Sequence, residues 1–111
     1  MSEPARVVRL TEALAVLPLP ATAKWPDGTW YHTLFDQPGL QILMFAPKGT
    51  DYQTPHARDE AYFVMRGSAM LEMGETLTRV ASGDMVWVPK MTRHRFTDIS
   101  DDFAAWVVFI C

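Results

Sequence analysis

The chain has 111 residues, 49% of them apolar, with 13 acidic and 10 basic side chains and a formal charge of -3. That length holds one domain around one core and excludes two-lobed dinucleotide-binding enzymes and eight-fold α/β barrels, which need roughly twice as much chain. Basic residues are scattered from Arg6 to Arg95, which leaves no electrostatic footprint for a phosphate backbone, so no nucleic-acid partner is expected. The longest stretches without Asp, Glu, Lys or Arg are eleven residues, 13–23 and 37–47, and both contain proline. Neither can cross a bilayer as a helix, and no membrane partner is expected. The single cysteine, Cys111, stands at the C-terminus; it allows no internal disulfide, fits a cytoplasmic location, and lacks the neighbouring base that a nucleophile needs.

Residues 1–28 differ in character from the rest and are expected to form an N-terminal extension. Leu10, Ala13, Leu14 and Leu17 recur at helical spacing before Pro18 and Pro20 end the pattern, which predicts one short amphipathic helix lying on the main body. A secretory leader would also place Arg6 and Arg9 before an apolar run closing on Ala21-Thr22-Ala23. Glu3 in the leader region and Glu12 inside the apolar run argue against it.

From Thr29 onward the residues read as strands divided by turns. Eight are expected, around residues 30–35, 41–45, 60–66, 69–73, 76–80, 85–88, 94–99 and 103–110, separated by turn chemistry such as Asp36-Gln37-Pro38-Gly39, Arg66-Gly67 and Ser82-Gly83-Asp84. Short strands at this regular spacing predict an all-β sandwich or small barrel over residues 29–111.

Of three histidines, His56 and His94 stand in suggestive patterns. His56 precedes Glu60 by four residues. On a straight strand the two would lie about 13 Å apart, too far to share an ion. A bend through residues 57–59 would bring them together; a helical turn would too, but the Tyr62-Phe63-Val64 run that follows favours a strand. The second pattern runs from Gly83 through Pro89 to His94: a glycine turn, a short strand, a proline turn, and a histidine opening the next strand.

Together these segments resemble the two motifs of the cupin superfamily. The first, His-x-His, three or four residues, Glu, six residues, Gly, is matched at His56, Glu60 and Gly67, with Thr54 where its first histidine belongs. The second, Gly, five residues, Pro, one residue, Gly, two residues, His, three residues, Asn, is matched at Gly83, Pro89 and His94. Met91 replaces its second glycine and Asp98 its asparagine. The resemblance implies a small double-stranded β-helix, or jelly-roll, barrel. It also implies one divalent metal inside it, held here by His56, Glu60 and His94, since Thr54 is a poor ligand. Two histidines and a carboxylate suit Fe(II) with open positions for substrate and O2, and also Zn, Mn or Ni. His32 belongs to neither motif and stands as the remaining histidine for a fourth ligand. The alternative is a degenerate barrel in which the histidine missing at Thr54 leaves an apolar pocket with weak metal binding or none.

Alternation extends the site. If Glu60 faces the interior, Tyr62 and Val64 face it too, while Ala61, Phe63 and Met65 face outward; Phe96 shares a face with His94. On the last strand both Ala104-Trp106-Val108 and Phe103-Val107-Phe109 are apolar, so either set suits the inside. The expected pocket lining is Thr54, Tyr62, Val64, Phe96 and Trp106. Strands apolar on both faces need cover on both, which predicts the N-terminal helix or a second subunit outside the barrel, and hence a homodimer. The methionines read as core filler. The resulting expectation is a metal-dependent enzyme acting on a small molecule, a dioxygenase or an isomerase or lyase, with Glu60 available as a proton acceptor. The alternative is a non-catalytic module that holds a small metabolite or sugar. A DNA-binding regulator is disfavoured, because one helix cannot supply a helix-turn-helix.

Overall fold

Eight strands and one helix account for the regular structure in the computed structural model, which describes residues 4–110; Cys111 lies outside them. The strands are β1 (Tyr31–Gln37), β2 (Leu40–Phe45), β3 (Asp59–Arg66), β4 (Ser68–Met73), β5 (Thr76–Ala81), β6 (Met85–Val88), β7 (His94–Thr97) and β8 (Ala104–Ile110). Each coincides with a predicted one to within two residues at either end. The exceptions to closer agreement are instructive: β7 stops at Thr97 because Asp98 takes a left-handed backbone, φ 46°, which a strand cannot continue through.

All pairings are antiparallel. One sheet has the order β1-β2-β8-β3-β6 and the other β5-β4-β7. The inner faces of the two sheets meet in a core that includes Leu43, Phe45, Val64, Leu71, Val88, Phe96 and Phe109. This is the barrel that the strand spacing predicts. On β3 Glu60, Tyr62 and Val64 are buried between the sheets, and Phe63 and Met65 are exposed; Ala61, expected outward with them, is buried at 8% exposure.

Residues 10–15 form the helix α1 (Leu10–Ala15), which ends before Pro18 as proline requires. Its apolar stripe, Leu10, Ala13 and Leu14, joins Leu17 against Met44, Ala46, Ala104 and Trp106 on the outer face of β2 and β8. Cover of one outer face by the N-terminal segment is thus realised. The segment also does more than cover. Its Trp25 belongs to the inner core and meets Tyr31, Phe45 and Tyr52 edge-on at centroid distances of 5.8, 6.3 and 5.5 Å, and Leu19 and Thr29 exchange backbone hydrogen bonds. The outer face of β3 and β6 has no such cover: Phe63, Met65, Met85 and Trp87 are between 41% and 59% exposed. Among the methionines, Met44 is core filler as expected, whereas Met65, Met85 and Met91 lie at the surface. None of the described helices is long and apolar enough to cross a membrane.

Two positions with the same backbone bear on the turns in opposite ways. Gly67, between β3 and β4, has φ 68°, and a Cβ there would stand 2.9 Å from the backbone nitrogen of Phe103. Met91 has φ 63° and a side chain 67% exposed, at the position where the family motif carries glycine. A left-handed L-residue costs about 1–2 kcal/mol. Gly67→Ala is therefore expected to destabilise the fold by more than about 2 kcal/mol, strain and clash adding. Met91→Gly should stabilise it by up to about 1 kcal/mol, the strain relieved being partly offset by glycine's chain entropy. Urea titration of both variants checks this; a Met91→Gly protein less stable than the parent contradicts it.

Candidate metal centre

The barrel's two sheets bring together the three residues singled out by the motifs. Residues 57 and 58 form a bend before β3 begins at Asp59, so His56 folds back over the strand it precedes. Its Nε2 lies 3.9 Å from Glu60 Oε2. His94 opens β7, on the opposite sheet, and its Nε2 lies 3.0 Å from Glu60 Oε1. One donor atom from each of His56, Glu60 and His94 falls within 4.8 Å of the others, and this is the group of metal-ligand type among the described residues. Donors on one ion with bonds of about 2.1 Å stand roughly 3.0–3.4 Å apart, so the set needs only a small closure of His56. His32 is not part of the group: it alternates with Thr33, whose side chain lines the cavity, and shares the outer face with Leu34.

Glu60 is the constraint in this cluster. The residue is 2% exposed, yet its Oε1 has no hydrogen-bond partner; it faces His94 Nε2 at ion-pair distance without hydrogen-bond alignment. A buried carboxylate oxygen without an aligned donor is costly in a folded chain, and either a proton on His94 Nε2, 3.0 Å away, or a cation between Glu60 and the imidazoles would satisfy it.

A hydrogen-bond relay fixes which His94 nitrogen faces the cation position, while His56 Nε2 lies 3.4 Å from Gln53 Oε1. The buried Asp51 carboxylate accepts from the backbone N–H groups of Phe96, at 2.9 Å, and Gln53, at 3.0 Å, and from the Gln53 side-chain amide. With its NH2 engaged, Gln53 presents Oε1 to the Tyr62 hydroxyl, which donates to it at 2.9 Å. Tyr62 has one proton, so its oxygen, 3.0 Å from His94 Nε2, has no hydrogen to give that nitrogen. The other ring nitrogen, Nδ1, is 2.8 Å from the Thr92 carbonyl oxygen and must carry the hydrogen. His94 Nε2 is left either protonated against Glu60 or free to offer its lone pair to a metal, the arrangement that orients histidine ligands generally.

The charges follow from these neighbours. Burial pushes the His56 imidazole pKa down, and the positive charges of His94, Lys24 and Arg58 add to this against the pull of Glu60. Burial also opposes charge on His94, but the Glu60 carboxylate, the Thr92 carbonyl and Asp51 outweigh it and raise its pKa above the ordinary 6.5. Burial, then the Glu60 and Asp51 charges, lift the Tyr62 phenol well above its usual value, so it stays protonated. Asp51 is raised as well, by burial, with the bonds from Gln53 and Phe96 working the other way.

Above Glu60 opens a cavity of about 320 Å³, with His56, Glu60 and Tyr62 at its polar end and Leu43, Phe45, Val107, Phe109 and Trp25 among its apolar walls. Of the lining residues expected from alternation, Tyr62 is in this wall. Val64 and Phe96 lie deeper, in the core, with the Phe96 ring meeting Tyr62 edge-on at 5.0 Å. Thr54 faces a separate surface depression shared with Asp51, Arg93 and His94 and accepts a hydrogen bond from Lys24 Nζ at 3.1 Å. Trp106 is a correction: β8 turns Val107 and Phe109 inward, so Trp106 sits on the opposite face, beside Met44 and the helix. Gln53, Asp51, Trp25 and Arg58 are site residues that sequence reasoning missed. Only Arg58 carried a signal, by standing between two motif ligands.

Comparison with known proteins agrees with the geometry. The cupin 2 family, described as a cupin domain, matches residues 41–111. An uncharacterized protein of Streptomyces coelicolor is 48% identical over 85 residues, covering 75% of this chain and 80% of that one. Among solved structures, a protein from Neisseria meningitidis aligns over 96% of this chain and 100% of its own at 17% identity, with a TM-score of 0.71. A cupin 2 conserved barrel domain protein from Rhodopseudomonas palustris aligns at 28% identity with a TM-score of 0.62, over 73% of this chain and 59% of that one.

A metal must displace the His94 proton, and that proton is held more tightly than on a free imidazole. Zinc affinity is therefore expected to climb as pH rises through 6.5 and through the raised His94 value, then to flatten. Competition titration with a chelator between about pH 5.5 and about pH 8 reads this out, and an affinity flat across that range contradicts the assignment.

Proposed function

From the premise that this chain belongs to the cupin 2 family, we propose that it binds one divalent metal ion through His56, Glu60 and His94 and acts on a small molecule held in the cavity above them. The observation that carries this reading is Glu60: a carboxylate buried at 2% exposure, its Oε1 without a hydrogen-bond donor, set between two imidazoles. Fe, Zn, Mn or Ni would suit the donor set, and such an ion supplies open coordination positions and polarises a bound oxygen atom.

The chain's own residues supply the rest. Tyr62 keeps its proton and hydrogen-bonds to Gln53, and so holds the polar end of the cavity in one arrangement. Glu60 is the carboxylate within reach of a substrate proton. Aromatic and aliphatic side chains form much of the cavity's wall. The reaction class is a dioxygenase or an isomerase or lyase, in a reducing cytoplasm as the single cysteine suits. A second reading, a non-catalytic holder of a small metabolite or sugar, is favoured by Thr54: the position of the motif's first histidine carries a hydroxyl that accepts a hydrogen bond from Lys24.

Elemental analysis of protein purified without a metal-affinity tag tests the metal. About one ion per chain is expected after reconstitution, and Glu60→Gln and His94→Ala should each abolish it; occupancy below about 0.1 per chain, or full occupancy in either variant, contradicts the reading. Oxygen uptake against a panel of diols, diketones and thiols then separates the dioxygenase from the other classes.

We also propose that a second copy of this chain covers Phe63, Met65, Met85 and Trp87. These form one apolar patch at an edge of the five-stranded sheet, where the four-residue β6 has a free side, and contiguous exposed apolar surface of this kind marks association sites. Light scattering should give twice the 12.6 kDa chain mass, and Phe63→Lys should halve it. A monomer mass for the parent chain at all concentrations overturns the dimer.

A further inference from the structure

The cavity carries an electrostatic signature that the metal set does not use. The chain as a whole is acidic, with a charge of -3, yet two cations, Arg58 and Lys24, line this cavity, and the carboxylate in its wall is Glu60, which stands with the two histidines. Among the described residues neither cation makes an ion pair. Arg58 Nη1 donates to the neutral Gln41 side chain at 2.8 Å, and Lys24 Nζ to the Thr54 hydroxyl at 3.1 Å. Both line the same cavity as His56 and Glu60, which places their charge near the candidate metal position.

Arg58 is also held in a defined pose. Its guanidinium carbon lies 4.3 Å from the centre of the Phe109 ring, a stacking contact that fixes the plane of the fork while leaving its N–H edges to act as donors. A guanidinium has five N–H groups, and a side-chain partner engages Nη1 alone. Such a planar, half-buried fork with no acid of its own is complementary to a carboxylate, which it can hold through two parallel hydrogen bonds.

We propose that the cavity is a site for a small organic acid, its carboxylate held by Arg58 with Lys24 adding to the field, and its short apolar body lying against Leu43, Phe45 and Val107. The volume of about 320 Å³ is at the lower end of ligand cavities, so the acid is small. A phosphate ester is the less suitable anion, because the site offers one arginine and no glycine-rich loop or helix N-terminus of the kind that cradles tetrahedral phosphates. The inference deepens the reading of this cavity as a substrate site and rests on it for the site's identity. The Arg58 contact does not require the metal, so the two can fail separately.

The experiment is calorimetric titration of the full chain, metal-free and zinc-loaded, with benzoate and isobutyrate against their neutral isosteres benzamide and isobutyramide, and with phenyl phosphate. The acids are expected to bind at least about tenfold tighter than the amides in both forms. Arg58→Gln should bring acid and amide to within about threefold, while Arg58→Lys, a point charge without the fork, should keep an intermediate preference. Circular dichroism melts of the variants serve as the folding control, and Lys24→Gln gives a second, smaller loss in the same direction. Equal binding of acids and amides, an undiminished preference in folded Arg58→Gln, or phenyl phosphate binding tighter than benzoate would overturn the proposal. A chain that takes up no zinc but keeps the Arg58-dependent preference would sink the metal reading and leave the acid site standing.

Discussion

A carboxylate inside a β-barrel has to be answered by positive charge or by hydrogen-bond donors, and the rest of this structure is arranged around that requirement at Glu60. Removing an ionised carboxylate from water costs several kcal/mol even after the protein relaxes. Backbone amides do not meet the cost here, since β3 uses its own in pairing with β6 and β8. The answer comes from His94 on the opposite sheet and His56 across the bend. With a proton on His94 the cluster is an ion pair; with a cation in its place it is a metal site. The raised His94 pKa and the partnerless Oε1 of Glu60 are two consequences of one arrangement.

Because Glu60 and His94 lie on different sheets, the cluster depends on whatever locks the sheets together. Asp51 does part of this, tying the segment before β3 to β7 through the Phe96 N–H and orienting Gln53 toward Tyr62. The Met91 N–H donates to the His56 carbonyl at 2.6 Å and ties the turn before β7 to the same residue. Trp25 closes the wall from the N-terminal side. The motif residues are thus the centre of a network whose outer members are polar side chains on irregular backbone.

That division explains what could be read from the residues beforehand. The strands were legible because period-two alternation and turn residues are local signals, and Glu60, Tyr62 and Val64 fell on one face for that reason. The His56–Glu60 pair was legible once a bend was allowed between them, since strand geometry alone forbids the contact. Trp106 was not: both faces of β8 are apolar, and the choice between them is made by α1 covering one face, a contact nearly a hundred residues away in the chain. Gln53 and Asp51 left no trace, because their roles depend on tertiary placement of a loop with no periodicity. Trp25 was hidden by the change in composition at residue 28, which suggested a boundary where the chain is in fact continuous with the core.

X-ray absorption at the zinc edge of the reconstituted protein tests the central claim most directly, since it reports the atoms around the ion. The account predicts a first shell of two imidazole nitrogens and one carboxylate, completed by light atoms from solvent, and no bound zinc in His94→Ala. A first shell with a single imidazole or with sulfur, or zinc retained in His94→Ala, would contradict it.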